Sequence, residues 1–349
     1  MSKSGILILA ILSICFAFGW MEDKVKLVYP TYFPSPTYNF ESNSLESNKI
    51  ELGRALFYDP ILSADSTISC ASCHSPYSAF THGDHALSHG IHDRIGRRNS
   101  PALMNLAWMR ELMWDGAVNH LDMQALAPLH SESEMAEDIS NVLLKINRNP
   151  RYKAFLFEAF QDSTLDSELF LKSIAQFELT LISSNSKYDK IKSGTENLAF
   201  TAQEENGYQL FKTHCNSCHT EPLFSNYSFQ NNGLSLNPEI QDLGRFEITQ
   251  NESDTRKFKV PTLRNIEFSS PYMHDGRFKK LSEVIDHYSE GIEVTKTLGE
   301  ELKNGIKLSS NEEVDLIAFL LTLSDKDFIF NPKHSFPRDF FFSDARDKP

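Results

Sequence analysis

Positive charge is scarce in this sequence. Against 47 Asp and Glu stand 34 Lys and Arg, a net charge of −13. An acidic surface repels phosphate backbones, which argues against nucleic acid as a partner and is compatible with a basic protein partner. Long apolar runs are missing after Met21, so no later segment reaches the roughly 20 residues that cross a bilayer. Strand signals are weak, the best being Phe246-Glu247-Ile248-Thr249. Cysteine occurs only five times in 349 residues. The rest is ordinary, 40% hydrophobic and 23% charged, which excludes disorder, collagen and coiled coil for the whole. Phenylalanine is abundant, with 26 copies, enough for a large core or apolar pockets. At roughly 100–200 residues per domain, the length suggests two domains or three.

The start of the chain stands apart. Lys3 is the sole charge before Glu22, and Ile6 to Met21 is apolar except for Ser13. With Ala17-Phe18-Gly19 behind it, this reads as a secretory signal peptide over residues 1–20. An uncleaved N-terminal anchor is the competing interpretation. Cys15 as a lipoprotein site is disfavoured by the bulky Ile14 before it. Export and a soluble mature chain of net charge −14, one Lys fewer, are expected.

The other four cysteines form two matching patterns, Cys70-Ala71-Ser72-Cys73-His74 and Cys215-Asn216-Ser217-Cys218-His219. C-x-x-C-H is the attachment signature of c-type haem. Two thiols about a turn apart form thioethers with the haem vinyls, and the adjacent His ligates the iron. A disulfide framework leaves the His after each pair unexplained. A zinc ribbon separates its pairs by about 15–20 residues, and here 141 intervene. A thioredoxin-like pair needs one motif in a βαβ context. His74 and His219 are therefore the expected proximal ligands of two covalent haems.

Both motifs belong to a longer repeat. Gly53-Arg54-Ala55-Leu56-Phe57 and Gly207-Tyr208-Gln209-Leu210-Phe211 precede them. Pro101-Ala102-Leu103-Met104-Asn105 is followed by Asp115-Gly116, and Pro261-Thr262-Leu263-Arg264-Asn265 by Asp275-Gly276, fourteen residues from Pro to Asp in each. Leu121 and Leu281 each come five after the Gly. The expected fold is mainly α, two tandem cytochrome c-like domains with one haem each. Residues 21–190 form the first and 191–335 the second, divided in the polar stretch 185–197, and 336–349 form a tail. Apolar spacing predicts helices over 45–57, stopped by Asp59-Pro60, and over 135–147 and 165–182. Thr201-x-x-Glu204 and Ser310-x-x-Glu313 read as capping boxes opening helices at 202–212 and 311–323. Residues 332–349 are expected to wrap back as an extended tail.

At this point the chain resembles the bacterial di-haem cytochrome c peroxidases, a family that includes the MauG-type enzymes. The resemblance runs from about Leu52 to about Leu323. Leu52-Gly53-Arg54 through Asp59-Pro60, Arg98-Asn99-Ser100-Pro101, Trp114-Asp115-Gly116, Phe258 to Asn265, and Pro271-Tyr272-Met273-His274-Asp275-Gly276 carry it. The resemblance implies that hydrogen peroxide is reduced at the His74 haem and that electrons enter at the His219 haem. The donor would be a small c-type cytochrome or copper protein in the periplasm. Gln124 and Glu134 match the distal pair that orients peroxide and shuttles its proton. Trp114 matches the tryptophan between the haems. Asn99, Ser269 and Pro271 match a calcium site, for which oxygen ligands are suited. His89 matches a blocking distal ligand of the first iron, with His92 as the alternative and His82 and His85 nearby. At the sixth-ligand position of the second haem, where typical peroxidases carry Met, this chain has Tyr288, as MauG-type enzymes do; Met273 and His287 are rival ligands. Thioether ligation raises haem potential, whereas phenolate favours oxidised iron. The alternatives to a peroxidase are MauG-like oxidation of a partner protein's residue and plain electron transfer. Family members are often homodimers.

Overall fold

The computed structural model describes residues 24–83 and 85–342. The expected signal peptide, Cys15 and residues 343–349 lie outside them. The described chain is helix-rich with little sheet. Its longer helices are α1 Ser47–Tyr58, α2 Ile139–Arg148, α3 Pro150–Phe160, α4 Ser167–Leu179, α5 Lys187–Ser193, α6 Ala202–His214, α7 Leu281–Glu290 and α8 Ser310–Leu321. The only paired strands among the described residues are Phe229–Gln230 and Phe258–Lys259, antiparallel. No described helix is long and apolar enough to cross a membrane.

Two helix crossings organise the molecule, and a glycine sets each. A Cβ on Gly53 of α1 would lie 1.8 Å from Ser173 O on α4, and one on Gly207 of α6 would lie 1.9 Å from Asp315 O on α8. Only a residue without a side chain lets the backbones approach this closely. Gly207→Ala should therefore cost about 1–3 kcal/mol of stability, the usual range for overpacking. A thermal midpoint equal to wild type would show that the crossing is not close-packed.

The repeated asparagines close each crossing. Asn105 and Asn265 are left-handed, with φ of 54° and 57°, a conformation Asn tolerates better than most residues. Asn105 N donates to Leu181 O at 2.9 Å, and its Oδ1 accepts from Ser183 N at 3.0 Å. Asn265 N donates to Leu323 O at 3.1 Å, and its Oδ1 accepts from Asp325 N at 2.7 Å. Each asparagine thus ties its loop to the segment leaving the second helix of the pair. At the core of the second half, Arg264 is fully buried and held by both carboxylate oxygens of Asp189 at 2.8 Å. Its guanidinium also faces the Phe33 and Phe224 rings, at 5.0 and 5.5 Å.

Several local expectations are corrected. Phe246–Thr249 is a helical turn, not a strand. Ile248 is exposed, so alternation would give no buried face, and the Glu247 carboxylate is taken by Leu243 N and Arg97. The last long helix is capped one residue earlier, by Ser309 with Glu312. The doubled Ser309-Ser310 and Glu312-Glu313 fit a box in either register. The polar stretch 185–197, expected to divide the halves near residue 190, contains α5. Tyr188, ahead of that point, already packs with Phe211, Phe224 and Phe319. Residues 332–342 do wrap back, as a turn at Pro332–His334 and a short helix Arg338–Phe342 rather than an extended tail. Phe340 packs on Tyr152 and Phe155, and Phe336 on Tyr58.

Candidate functional site

A cavity of about 590 Å³ reaches from one C-x-x-C-H motif to the other. Cys70, Cys73 and His74 line one end, and Cys215, Cys218 and His219 the other. The first motif forms a single helical turn, Cys70–Cys73, capped by Ser69 and Ser72. No disulfide joins any of these four cysteines. His74 Nδ1 donates to Phe80 O at 2.7 Å. His219 Nδ1 lies 3.3 Å from Phe224 O and 3.1 Å from Pro261 O. A carbonyl on Nδ1 fixes the ring and leaves Nε2 as the basic nitrogen. Burial holds both imidazoles down to about 4, neutral and fit to ligate a metal. Phe57, Leu103, Leu106, Leu263 and Ile266 supply an apolar lining. This donor set, paired thiols beside an anchored neutral imidazole in an apolar slot, fits a c-type haem at each end.

Gln124, Pro128 and Glu134 line the first end. Gln124 closes the turn Leu121–Gln124, and its Nε2 lies 3.9 Å from Met113 Sδ. Burial raises the Glu134 carboxyl, with a hydrogen bond to Ser131 working the other way. The loop bearing His89 packs against Glu134. Ile91 N donates to Glu134 O at 2.8 Å, and a Cβ on Gly90 would lie 2.2 Å from Ser133 O and 2.4 Å from Glu134 O. The histidines of that loop face elsewhere. His89 Nδ1 pairs with Asp93 at 2.5 Å and its ring lies 4.9 Å from that of His85. His92 is exposed, 3.7 Å from Asp65. Neither is among the cavity-lining residues, so this conformation leaves the first end unblocked by either.

Pro128 was not singled out from sequence, although the repeat points to it. The two halves are offset by 160 residues from Asn105 and Asn265 through Leu121 and Leu281, which makes Pro128 the counterpart of Tyr288. In that register the short helices Leu121–Gln124 and Leu126–His130 correspond to the helix Leu281–Glu290. A side chain that could ligate stands at the second end; a proline that cannot stands at the first. The same offset pairs Trp114 with His274.

Trp114 and His274 also line the cavity. Trp114 Nε1 donates to Asn99 O at 2.8 Å, and Asn99 N donates to His274 O at 2.7 Å. The His274 ring stacks on Phe258 with centroids 3.7 Å apart, and burial holds it down to about 4. Lys259 N donates to Trp114 O at 2.7 Å. The Lys259 ammonium is buried, which pulls it down to about 8 although Asp115 and Glu111 favour its charge; it donates to Glu111 O at 3.0 Å. Arg98 joins Asp115 at 2.5 Å and Asp242 at 2.5 and 2.8 Å. These charges rigidify the backbone round Trp114.

At the second end Tyr288 and Met273 line the cavity, whereas His287 does not. His287 Nε2 donates to Asn232 O at 3.0 Å. Met273 Sδ accepts from Asn232 Nδ2 at 3.5 Å. Burial pushes the Tyr288 phenol up to about 12, with a hydrogen bond to Asn232 working the other way. Of the three rival ligands, Tyr288 and Met273 are the two that line the cavity. The residues matched to calcium, Asn99, Ser269 and Pro271, share the cavity wall. Asn99 is buried, and its Nδ2 donates to Ala86 O at 3.0 Å, leaving the amide oxygen as its acceptor end. No cluster of three or more His, Cys, Asp or Glu poised for a metal occurs among the described residues. A cation here would rest on neutral oxygens.

Residues 47–197 match the family model described as di-haem cytochrome c peroxidase. The chain is 31% identical over 309 residues to the methylamine utilization protein MauG of Methylophilus methylotrophus, covering 87% of this chain and 89% of that one. It is 34% identical to the cytochrome c551 peroxidase of Nitrosomonas europaea, covering 78% and 79%. Among solved structures, a MauG-like protein associated with microbial copper homeostasis superposes with a TM-score of 0.78 at 31% identity, over 90% of this chain and 99% of that one.

Proposed function

The chain belongs to the di-haem cytochrome c peroxidase family, and from that premise we propose that it reduces hydrogen peroxide to water at the Cys70–His74 end of the cavity. Membership implies two c-type haems, which supply redox-active iron when bound. Cys70, Cys73 and His74 would hold one and Cys215, Cys218 and His219 the other, in two tandem cytochrome c-like domains meeting near α5.

One observation carries the choice of the first end. Gln124 and the buried Glu134 line the cavity there, with Pro128 at the position that Tyr288 takes at the second end. Peroxide must lose a proton from one oxygen and gain one on the other for the O–O bond to break. A carboxyl held above its ordinary range by burial can do both, and the Gln124 amide can orient the peroxide. Gly90 and Ile91 hold the Glu134 backbone from behind. Trp114, anchored at both Nε1 and its carbonyl, occupies the wall between the two ends and suits electron passage. A calcium ion on Asn99, Ser269 and Pro271 would brace that wall. A small c-type cytochrome as donor agrees with the names of the peroxidase relatives; a small copper protein is the alternative donor, an acidic face suits a basic partner of either kind, and the location we propose is periplasmic.

A second function draws on Tyr288, which lines the second end and would be a phenolate ligand there. It favours MauG-like oxidation of a partner protein. The deciding assay is H₂O₂-dependent oxidation of a reduced c-type cytochrome, with the holoprotein as isolated and after one-electron reduction. Fast turnover without prior reduction is expected, because His89 and His92 stand outside the cavity. Absence of turnover in both states, with both haems attached, would move the assignment to protein oxidation or electron transfer.

A further inference from the structure

Glu178 has no part in the chemistry described above, yet it lines the cavity at the Cys70 end. It sits near the C-terminal end of α4 and is 3% exposed. Its Oε2 is buried without a hydrogen-bond partner. Burial pushes the carboxyl up to about 8, and repulsion from Asp122 adds to this. As a structural element it is a poor choice, since a buried polar oxygen without a partner destabilises the fold and calls for another explanation.

The groups packed round it define what it senses. Asp122, on the turn Leu121–Gln124, is the carboxylate that repels it, itself held by Tyr38 at 2.5 Å. Cys70 faces it from the first haem motif, and the charge of Glu178 raises that thiol in addition to its burial. On α1, Arg54 turns outward to the carbonyls of Pro332 and Ser335. On its own helix, Gln176 is committed to Asn43, Ser44 and Glu46. No cation therefore neutralises Glu178 from these elements. In a dry wall, a charge that changes at the Cys70 end must change the proton affinity of Glu178. The coupling is reciprocal.

We propose that Glu178 is a redox-linked proton-holding group of the first cavity end: it takes one proton from solvent when that end gains an electron and releases it into the cavity, toward the peroxide oxygens, when the electron passes to peroxide, the second proton of the reaction coming from solvent. The balance is one electron from the reduced donor protein and one proton from solvent, entering and leaving together. Peroxide reduction to two waters consumes two electrons and two protons, and Glu134, which passes a proton between the two oxygens, brings none in by itself. Glu178 brings in one. This rests on the haem reading of the Cys70 motif.

The test follows the reduction potential of the His74 haem in the holoprotein by spectroelectrochemistry from about pH 6 to about pH 9, a range that brackets the carboxyl. In wild type the potential should fall as pH rises across a window within that range. Glu178→Gln should lose that slope while keeping both haem spectra. Redox-induced infrared difference spectra should show a protonated-carboxyl band in wild type that is missing from the variant. Asp122→Asn removes the repulsion and should move the window to lower pH, a readout that stands if Glu178→Gln takes up haem poorly. An unchanged slope in Glu178→Gln, or an unmoved window in Asp122→Asn, overturns the proposal. Absent peroxide turnover with a normal pH slope would overturn the peroxidase function and leave Glu178 in place.

Discussion

Glu134→Gln should lower peroxide turnover by about 10²-fold or more while leaving both haems attached. The substitution keeps the length of the side chain and its capacity for hydrogen bonding. Only the proton that moves between the two peroxide oxygens is lost. Burial raises the Glu134 carboxyl, which brings its proton affinity nearer to that needed at neutral pH. Glutamine has no such equilibrium. Backbone support comes from Gly90 and Ile91 and does not involve the side chain, so the loop should stay in place. The loss should therefore fall on kcat rather than on KM. The measurement is steady-state oxidation of a reduced cytochrome at saturating peroxide. Turnover at the wild-type rate would remove Glu134 from the reaction.

Tyr288→Met should raise the potential of the His219 haem by an amount on the order of hundreds of millivolts, a sizeable part of the roughly 0.8 V that axial ligands span. Sulfur ligation favours reduced iron, and an anionic phenolate favours oxidised iron. Burial holds the Tyr288 proton on, up to about 12, so only a strong Lewis acid beside it would draw the proton off. Met273 already lines the same end, which makes the experiment a direct contest between two side chains. Potentiometric titration of the two haems separates them. An unchanged potential would show that Tyr288 is not a ligand and would shift attention to Met273.

The haem motifs were legible because their chemistry is local: two thiols and an imidazole within five residues. The repeat was legible because each half needs the same two devices, a glycine at a helix crossing and a left-handed asparagine behind it. Glu178, Lys259 and Pro128 were harder to find. A buried Glu or Lys looks in sequence like any surface charge, and only the surrounding wall distinguishes it. Pro128 required the offset between the halves to be carried beyond the motifs. The setting of the histidine loop was likewise not legible. His89-Gly90 follows the family's pattern, but in this structure its glycine serves to pack on Ser133 and Glu134 while the ring turns to Asp93. Phe246–Thr249 misled because two adjacent β-branched residues outweighed the local ties of Glu247.

The wall behind His74 is assembled from opposite ends of the chain. Phe80, whose carbonyl holds the His74 ring, packs on Phe328 and His334 at 5.7 and 6.0 Å. Tyr58 donates to His334 O at 2.6 Å. Residues 328–334 therefore finish a pocket begun by residues 58–80. During synthesis the Cys70–Cys73 pair has to wait, without this backing, until more than 250 further residues have followed it. The second motif has a far shorter wait, since its partners Phe224, Ile285 and Phe319 are close behind it. Order of emergence and order of completion are thus reversed. A cofactor attached before the Phe328–His334 segment docks would meet the earlier motif as an open, backless slot.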